Sequence, residues 1–160
     1  MLSQLYPNTK LYCSDNRENI LNNLKSRFKI SGMPTPQCAV VDLIKDEIPA
    51  EIPSVDVIVA DVPCTGSGTW RHNPEEAVFF NTEKIGATAY NQRKIAIKAY
   101  ERLKSGGLLV YITCSIFKAE NAENVQWLCQ ELGMEMLGSG YTQNGFDDTD
   151  YIYRAVLQKK

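Results

Sequence analysis

The stretch Val55-Asp56-Val57-Ile58-Val59-Ala60-Asp61 decides the fold of this sequence. Its β-branched run predicts a strand that ends on an aspartate, and the glycine- and proline-containing residues 62–74 predict an irregular segment after it. Other short β-rich runs recur along the chain, with longer amphipathic stretches between them. This alternation predicts an α/β sheet of parallel strands joined by crossover helices.

The remaining elements are predicted from the same periodicities. Further strands are predicted at residues 11–13, 38–43, 108–113, 134–137 and 151–157. Helices are predicted at residues 16–28, 90–103 and 120–132, where apolar residues recur at spacings of three and four. Ser105-Gly106-Gly107 is predicted to stop the second helix, and the proline-rich residues 48–53 to form a linker.

The composition indicates a folded, soluble chain with one principal core. Hydrophobic residues make up 44% of the 160 residues and charged residues 22%, and the net charge of -2 argues against nucleic-acid binding by overall charge alone. No apolar run approaches the roughly 18 residues that span a bilayer, and no targeting signal opens the sequence, so a cytoplasmic location is expected. Five cysteines and one histidine, without a close CxxC pair, indicate free thiols and no metal site.

Three aspartates follow predicted strands. Ligands of open parallel sheets collect beyond the carboxyl ends of the strands, so Asp15, Asp42 and Asp61 are candidate binding residues. Each of them taken alone is better explained as a helix cap or a turn residue. Three in succession favour a ligand with hydroxyl and amine donors, such as an adenosine, because an ionised carboxylate only accepts hydrogen bonds.

Two cysteine motifs carry a resemblance to a known family. The segment from Asp61 to Glu75, DVPCTGSGTWRHNPE, resembles the D-x-P-C-[ST]-G-x-G-x-x-R-x-x-P-[DE] segment of RNA cytosine-5 methyltransferases of the Sun and nucleolar-protein type. Tyr111-Ile112-Thr113-Cys114-Ser115 and Glu120-Asn121-Ala122-Glu123 are similar to the same family's Y-x-T-C-S and E-N-x-E blocks. Gln92, residues 104–107 and the tail 150–160 also match, so the resemblance covers nearly the whole chain.

The resemblance implies the fold and cofactor of that family. The fold would be the Rossmann-like sheet of S-adenosylmethionine-dependent methyltransferases, doubly wound and mostly parallel, with an antiparallel last strand. S-adenosylmethionine would be the cofactor. Asp15 would bind its ribose hydroxyls, Asp42 would lie beside the adenine, and Asp61 would lie near the methionine part and the target cytosine.

The family's first strand and glycine-rich loop are expected to precede Met1. Residues 1–160 are therefore predicted to be one truncated catalytic domain, the C-terminal two-thirds of the family's, with poor cofactor affinity. The absent strand would lie between the strands at residues 11–14 and 55–60. Without it, each of these strands has one edge whose backbone N–H and C=O groups need other hydrogen-bond partners. Three outcomes stay open: direct pairing of the two half-sheets, completion by a second chain or a preceding segment, and marginal stability.

The implied reaction is methylation of carbon 5 of cytosine in RNA. It requires a cysteine, because a thiolate added to carbon 6 makes carbon 5 nucleophilic. Both Cys64 and Cys114 compete for this role, and by the resemblance Cys114 attacks, Cys64 serves product release and Asp61 hydrogen-bonds the cytosine. A small buried apolar residue is the alternative for either cysteine, and the better explanation for the other three, Cys13, Cys38 and Cys129.

RNA contacts are predicted in the irregular segment, at Pro63, Trp70, Arg71 and His72, with ribosomal RNA as the expected substrate. Core packing is the alternative for Trp70. Further positive charge lies on the following helix, where a solvated face explains Lys94 and Lys98 equally well. The alternative function from another class is a catalytically silent fragment that acts as a binding or assembly module.

Overall fold

A computed structural model describes residues 9–142 and 150–160 of the chain. The chain divides into two compact units, Met1–Ile52 and Pro53–Lys160. The boundary between them falls in the proline-rich stretch 48–53 that the sequence predicts to be a linker. One catalytic domain over residues 1–160 stays a prediction.

The first unit is a strand, a helix and a second strand. Strand β1 (Tyr12–Asp15) and strand β2 (Gln37–Val40) pair in parallel, and helix α1 (Glu18–Ile30) connects them. The sequence extends the second strand to residue 43, but it ends at Val40. The reason is a turn in which the Asp42 side chain accepts a hydrogen bond from the backbone N–H of Ile44 at 3.0 Å.

The second unit contains a four-stranded sheet with the order β3-β4-β6-β5. Strands β3 (Val55–Asp61) and β4 (Leu103–Thr113) are parallel, whereas β6 (Tyr153–Gln158) runs antiparallel to both β4 and β5 (Glu135–Tyr141). The last strand is therefore the antiparallel one, as predicted. Together with the parallel pair in the first unit, this arrangement confirms the predicted α/β fold class.

Three helices accompany this sheet. They are α2 (Pro74–Val78), α3 (Lys84–Glu101) and α4 (Ala122–Leu132). Small side chains of α3, Ala96 and Ala99, and Leu128 of α4 pack on the apolar face of the sheet, where Leu109 and Leu157 are fully buried. This cluster is the core of the second unit.

Two element bounds differ from the sequence prediction. Helix α3 begins at Lys84 rather than at residue 90, because the carbonyls of Asn81 and Thr82 already accept hydrogen bonds from the backbone N–H groups of Lys84 and Ile85 in a turn. Residues 105–107, predicted to separate the helix from a strand, lie inside β4 instead. The backbone of Gly106 and Gly107 pairs with that of Lys159, at 2.8 and 3.0 Å. Leu103 pairs with Val55 of β3, so β4 begins at Leu103.

Direct pairing of the two half-sheets, the first of the three expected outcomes, is wrong. Strand β1 pairs with β2 in a two-stranded sheet and β3 pairs with β4 in the four-stranded sheet, and the described part of the chain gives no pairing of β1 with β3. Within the described residues β3 has a hydrogen-bonded neighbour on one edge only, and its Val57 and Val59 are 53% and 52% exposed. Completion of the sheet by a second chain or a preceding segment stays a prediction.

None of the helices within residues 9–142 and 150–160 is long and apolar enough to cross a membrane.

Replacing Leu128 by alanine should strongly destabilise the second unit. Leu128 is fully buried in the core, so its truncation leaves a cavity and should cost about 2–5 kcal/mol of unfolding free energy. Leu137→Ala is the matched control, because Leu137 is 52% exposed and its loss should stay within about 0.5 kcal/mol. Urea denaturation followed by circular dichroism measures both, and equal losses would contradict this description of the core.

Candidate active site

The site is built from the two loops that leave the carboxyl ends of β3 and β4. These strands are parallel neighbours, with Asp61 in register with Ile112 and the backbone N–H of Val62 donating to the Ile112 carbonyl at 3.1 Å. Because parallel strands end at one edge, the loop after Asp61 and the loop after Thr113 lie side by side. The structure thereby brings together the two cysteine motifs of the sequence.

A buried carboxylate joins these two loops. Glu120, in the 3₁₀ turn Lys118–Glu120, is fully buried, and its oxygens accept hydrogen bonds from the backbone N–H of Thr65 at 3.0 Å and from the Thr65 hydroxyl at 2.6 Å. The Ser115 hydroxyl donates to the same carboxylate. One side chain therefore holds the loop of Cys64 and the loop of Cys114 in fixed positions.

The network continues into helix α3 through Gln92, which is fully buried. Its amide nitrogen donates to Glu120 and to the Pro63 carbonyl, both at 3.0 Å. Its amide oxygen accepts from the Tyr111 hydroxyl at 3.0 Å and from Asn124 at 2.8 Å. Gln92 thus links Pro63, the residue before Cys64, to helices α3 and α4 and to strand β4.

A close backbone approach fixes the far side of the first loop. The backbone N–H of Gly68 donates to the Cys114 carbonyl at 2.9 Å, and the Gly68 carbonyl accepts from the backbone N–H of Tyr151 at 3.1 Å. A Cβ at this position would lie 2.2 Å from the Tyr151 carbonyl oxygen, so only glycine fits. Gly68 of the motif therefore helps to fix the backbone of Cys114 in position.

The thiols of Cys64 and Cys114 are neighbours. Burial raises the pKa of Cys64, and the backbone N–H groups of Gly66 and Cys114 offset part of this rise. Burial also raises the pKa of Cys114, with a further rise from the Asp61 carboxylate and a partial offset from a hydrogen bond with Cys64. The two side chains therefore lie close enough to interact.

Asp61 is exposed at the end of β3 and close enough to Cys114 to act on its pKa. The negative charge of Asp150 also raises the pKa of Cys114. Asp150 in turn lies 3.5 Å from Nε2 of His72. The sequence predictions do not include Asp150 in the site.

The two other predicted cofactor residues lie in the first unit. Asp15 ends β1 and Asp42 follows β2, so both stand at the carboxyl edge of the same parallel pair. Hydrogen bonds from the Arg17 side chain, at 3.0 and 3.1 Å, hold the pKa of Asp15 below its ordinary value, and Lys45 does the same for Asp42. The carboxyl groups are partly exposed and, as ionised acceptors, fit the hydroxyl and amine donors of an adenosine.

Of the predicted RNA-contact residues, Pro63, Arg71 and His72 are exposed. Trp70 packs against Phe80 and Phe117, with ring centroids 4.9 and 5.9 Å away, which matches the packing alternative considered for it. Arg93, part of the positive charge on α3, donates to Asn124 at 2.7 Å and lies over the Trp127 ring.

The sequence predictions missed the polar residues of the network as site residues. Glu120 and Gln92 were matched to the resembled family only as motif letters, and Asn124 and Tyr111 received no role. The available indication was the position of these residues, because Gln92 and Asn124 fall among the apolar positions of their helices. Within the described part of the chain, no three histidine, cysteine or acidic side chains form a group that could hold a metal ion.

Solved structures share this fold. The protein PH0851 gives a TM-score of 0.85 at 30% identity and covers 99% of this chain and 39% of its own. A methyltransferase homolog protein from Pyrococcus horikoshii gives 0.82 at 24% identity, covering 99% and 56%. An S-adenosylmethionine-dependent methyltransferase from Clostridium acetobutylicum gives 0.64 at 11% identity, covering 99% and 78%. The chain therefore has the Rossmann-like methyltransferase fold.

The sequence comparisons identify the family. The profile of the 16S rRNA methyltransferase RsmB/F family matches residues 1–144, and the chain belongs to this family, which confirms the resemblance. Ribosomal RNA small subunit methyltransferase F of Aeromonas salmonicida is 30% identical over 129 residues, 77% of this chain and 26% of that protein. Ribosomal RNA small subunit methyltransferase B of Vibrio vulnificus is 36% identical over 112 residues, 66% and 26% respectively. The chain thus spans about a quarter of the length of these two relatives.

Glu120→Gln should lower the unfolding free energy by about 1–3 kcal/mol, because an amide offers only one acceptor oxygen to a cluster of donors in a buried site. Glu123→Gln is the matched control, since this exposed residue lies on the adjoining helix. Urea denaturation at constant pH compares the two variants. Equal stability of both would show that the Glu120 hydrogen bonds do not hold the loops.

The raised pKa of Cys114 predicts its reactivity. Because the thiolate is the nucleophile, its alkylation by iodoacetamide should still be accelerating at pH 9.0, the ordinary pKa, without a plateau below that pH. Asp61→Asn should speed this alkylation at fixed pH by removing a nearby negative charge. Asp56→Asn, on the same strand but paired with Lys104, should leave the rate unchanged. Peptide mass spectrometry measures the rates, and a plateau below pH 9.0 would contradict the assignment.

Proposed function

We propose that this chain carries the catalytic residues of an S-adenosylmethionine-dependent RNA methyltransferase that acts on carbon 5 of cytosine through a covalent cysteine adduct. The observation that supports this proposal most directly is the pair of neighbouring thiols beside an exposed aspartate, at the ends of adjacent strands. A reaction that forms and then breaks a carbon–sulfur bond at one base has a use for two thiols within reach of that base.

In the proposed reaction, the Cys114 thiolate adds to carbon 6 of the cytosine, and the displaced electron pair makes carbon 5 nucleophilic. Asp61 accepts a hydrogen bond from the exocyclic amine and orients the ring. S-adenosylmethionine, when bound, supplies an electrophilic methyl group. A general base then takes the proton from carbon 5 with the assistance of Cys64, and the electron pair of the broken C–H bond re-forms the double bond and expels Cys114 as a thiolate.

The cofactor and substrate assignments follow from the family and the placement of charges. Asp15 and Asp42 are proposed to bind the adenosine part of the cofactor, and Asp61 to lie near its methionine part. The names of the curated relatives point to ribosomal RNA of the small subunit as the substrate. Pro63, Trp70, Arg71 and His72 are proposed to contact this RNA, and Nε2 of His72 lies 3.5 Å from Asp150.

A cytoplasmic location fits the same proposal. The five cysteines at positions 13, 38, 64, 114 and 129 are all free thiols, as is usual in a reducing compartment. The proposed nucleophile in particular must remain reduced to attack a base.

The two cysteine variants should differ on a denaturing gel of the complete enzyme, or of this chain complemented by the segment expected to precede Met1, incubated with cytosine-containing RNA and S-adenosylmethionine. Cys114→Ala should abolish both methylation and any RNA–protein adduct, because no thiolate reaches carbon 6. Cys64→Ala should lose turnover yet accumulate a heat-stable adduct, because attack continues while release is slowed. Cys129→Ala, a thiol of α4 outside the site, is the control and should keep turnover. The opposite pattern at Cys64 and Cys114 would reverse their roles.

A further inference from the structure

A second concave surface adjoins the candidate active site. It is a cavity of about 340 Å³ between the loop after β3, helix α2 and the first turns of α3, and its volume lies within the range of small-molecule pockets. Its lining includes Cys64, Trp70, Glu76, Phe79, Lys84 and Thr88. Cys64 thus faces both the candidate active site and this cavity, which we term the α2 pocket.

The α2 pocket has a rigid aromatic wall. The Trp70 and Phe80 rings, both in the lining, meet edge to face with centroids 4.9 Å apart, and Phe80 stacks on Phe117 at 5.5 Å. The neighbouring ring of Phe79 is not part of this packing and is 83% exposed. An exposed ring beside a fixed aromatic wall offers a flat apolar surface to a planar ligand, such as an unstacked base.

The polar groups of the α2 pocket complement the edge of a base. Glu76 supplies a carboxylate that accepts hydrogen bonds, whereas Lys84 donates them and Thr88 does both. No ion pair occupies the side chains of Glu76 or Lys84 within residues 9–142 and 150–160. A carboxylate and an ammonium that line the same pocket suit a base that carries an exocyclic amine and a carbonyl or ring nitrogen.

The position of the pocket indicates which base it would hold. The proposed nucleophile, Cys114, is not among the lining residues, whereas the proposed release residue, Cys64, is. A base attacked by Cys114 would therefore lie outside the α2 pocket and next to it. A nucleotide adjacent to the target in the same strand would reach it.

We propose that the α2 pocket binds one nucleobase that flanks the target cytosine in single-stranded RNA, by stacking on Phe79 and hydrogen bonding to Glu76. This proposal rests on the proposed function, since it requires an RNA substrate. The carboxylate favours a base with an exocyclic amine over uracil, because uracil has no amine to donate and its single N3–H donor lies between two carbonyl oxygens that the Glu76 carboxylate repels.

The test uses the complete enzyme, or this chain complemented by the segment expected to precede Met1, with S-adenosylmethionine and fluorescent five-nucleotide RNAs that have a central cytosine and one flanking base varied at a time. Anisotropy at fixed salt measures affinity, and a separate assay measures methyl incorporation into the same RNAs. Phe79→Ala should weaken binding roughly tenfold, the effect of losing one stacked base, and Phe79→Trp should restore it. Glu76→Gln should remove a roughly tenfold preference against uracil at one flanking position.

Two matched variants serve as controls. Val78→Ala changes an exposed apolar residue of the same helix that does not line the pocket, and Glu101→Gln changes an exposed carboxylate at the far end of α3. Neither should alter affinity or base preference.

The outcomes separate the two proposals. One outcome is a wild-type protein that binds and methylates RNA while Phe79→Ala and Glu76→Gln keep its RNA affinity and its flanking-base preference. That result would overturn the proposal for the α2 pocket and leave the proposed function intact. A wild-type chain that neither binds nor methylates any of the RNAs would overturn both proposals. Selective loss in the two pocket variants, with normal controls, would establish the α2 pocket as a flanking-base site.

Discussion

The buried carboxylate of Glu120 is the constraint on which the candidate site depends. It receives hydrogen bonds from the loop after β3, from helix α3 and from the loop after β4, so a single group sets the distance between Cys64 and Cys114. A buried polar group that loses its partners keeps its desolvation penalty, so this network is stable only when it is satisfied as a whole. The loops that carry the two thiols are thus joined by this hydrogen-bond network.

The proposed reaction needs a thiolate at Cys114, whereas the surroundings of both cysteines favour the uncharged thiol. Burial favours the uncharged thiol at both positions, and the Asp61 carboxylate disfavours a thiolate at Cys114 further. In the proposed reaction, however, Asp61 accepts a hydrogen bond from the cytosine amine. That contact would weaken the field of Asp61 at Cys114, so the thiolate becomes more accessible when the base is in place than when it is absent.

The surroundings of Cys64 connect the chemistry with substrate selection. On one side Cys64 meets Cys114, and on the other it lines the α2 pocket with Glu76 and Phe79. The segment that carries Cys64 is fixed by Gly68 and Thr65, whereas Phe79 stays exposed. A fixed thiol beside an exposed aromatic ring is compatible with the proposed binding of a single-stranded nucleic acid, whose bases stack on aromatic side chains.

The sequence by itself determined the α/β class, the strand-end positions of Asp15, Asp42 and Asp61, and the family, because these depend on local periodicity and on motifs contiguous in the chain. It could not determine the separation of β1 from β3 into two sheets, nor the extension of β4 back to Leu103, because strand pairing depends on which backbone edges meet in space. The sequence also did not reveal that Glu120 and Gln92 join the loops of the candidate site. Their partners lie 55 and 29 residues away, at Thr65 and Pro63, and only the folded chain brings such distant groups within hydrogen-bonding distance.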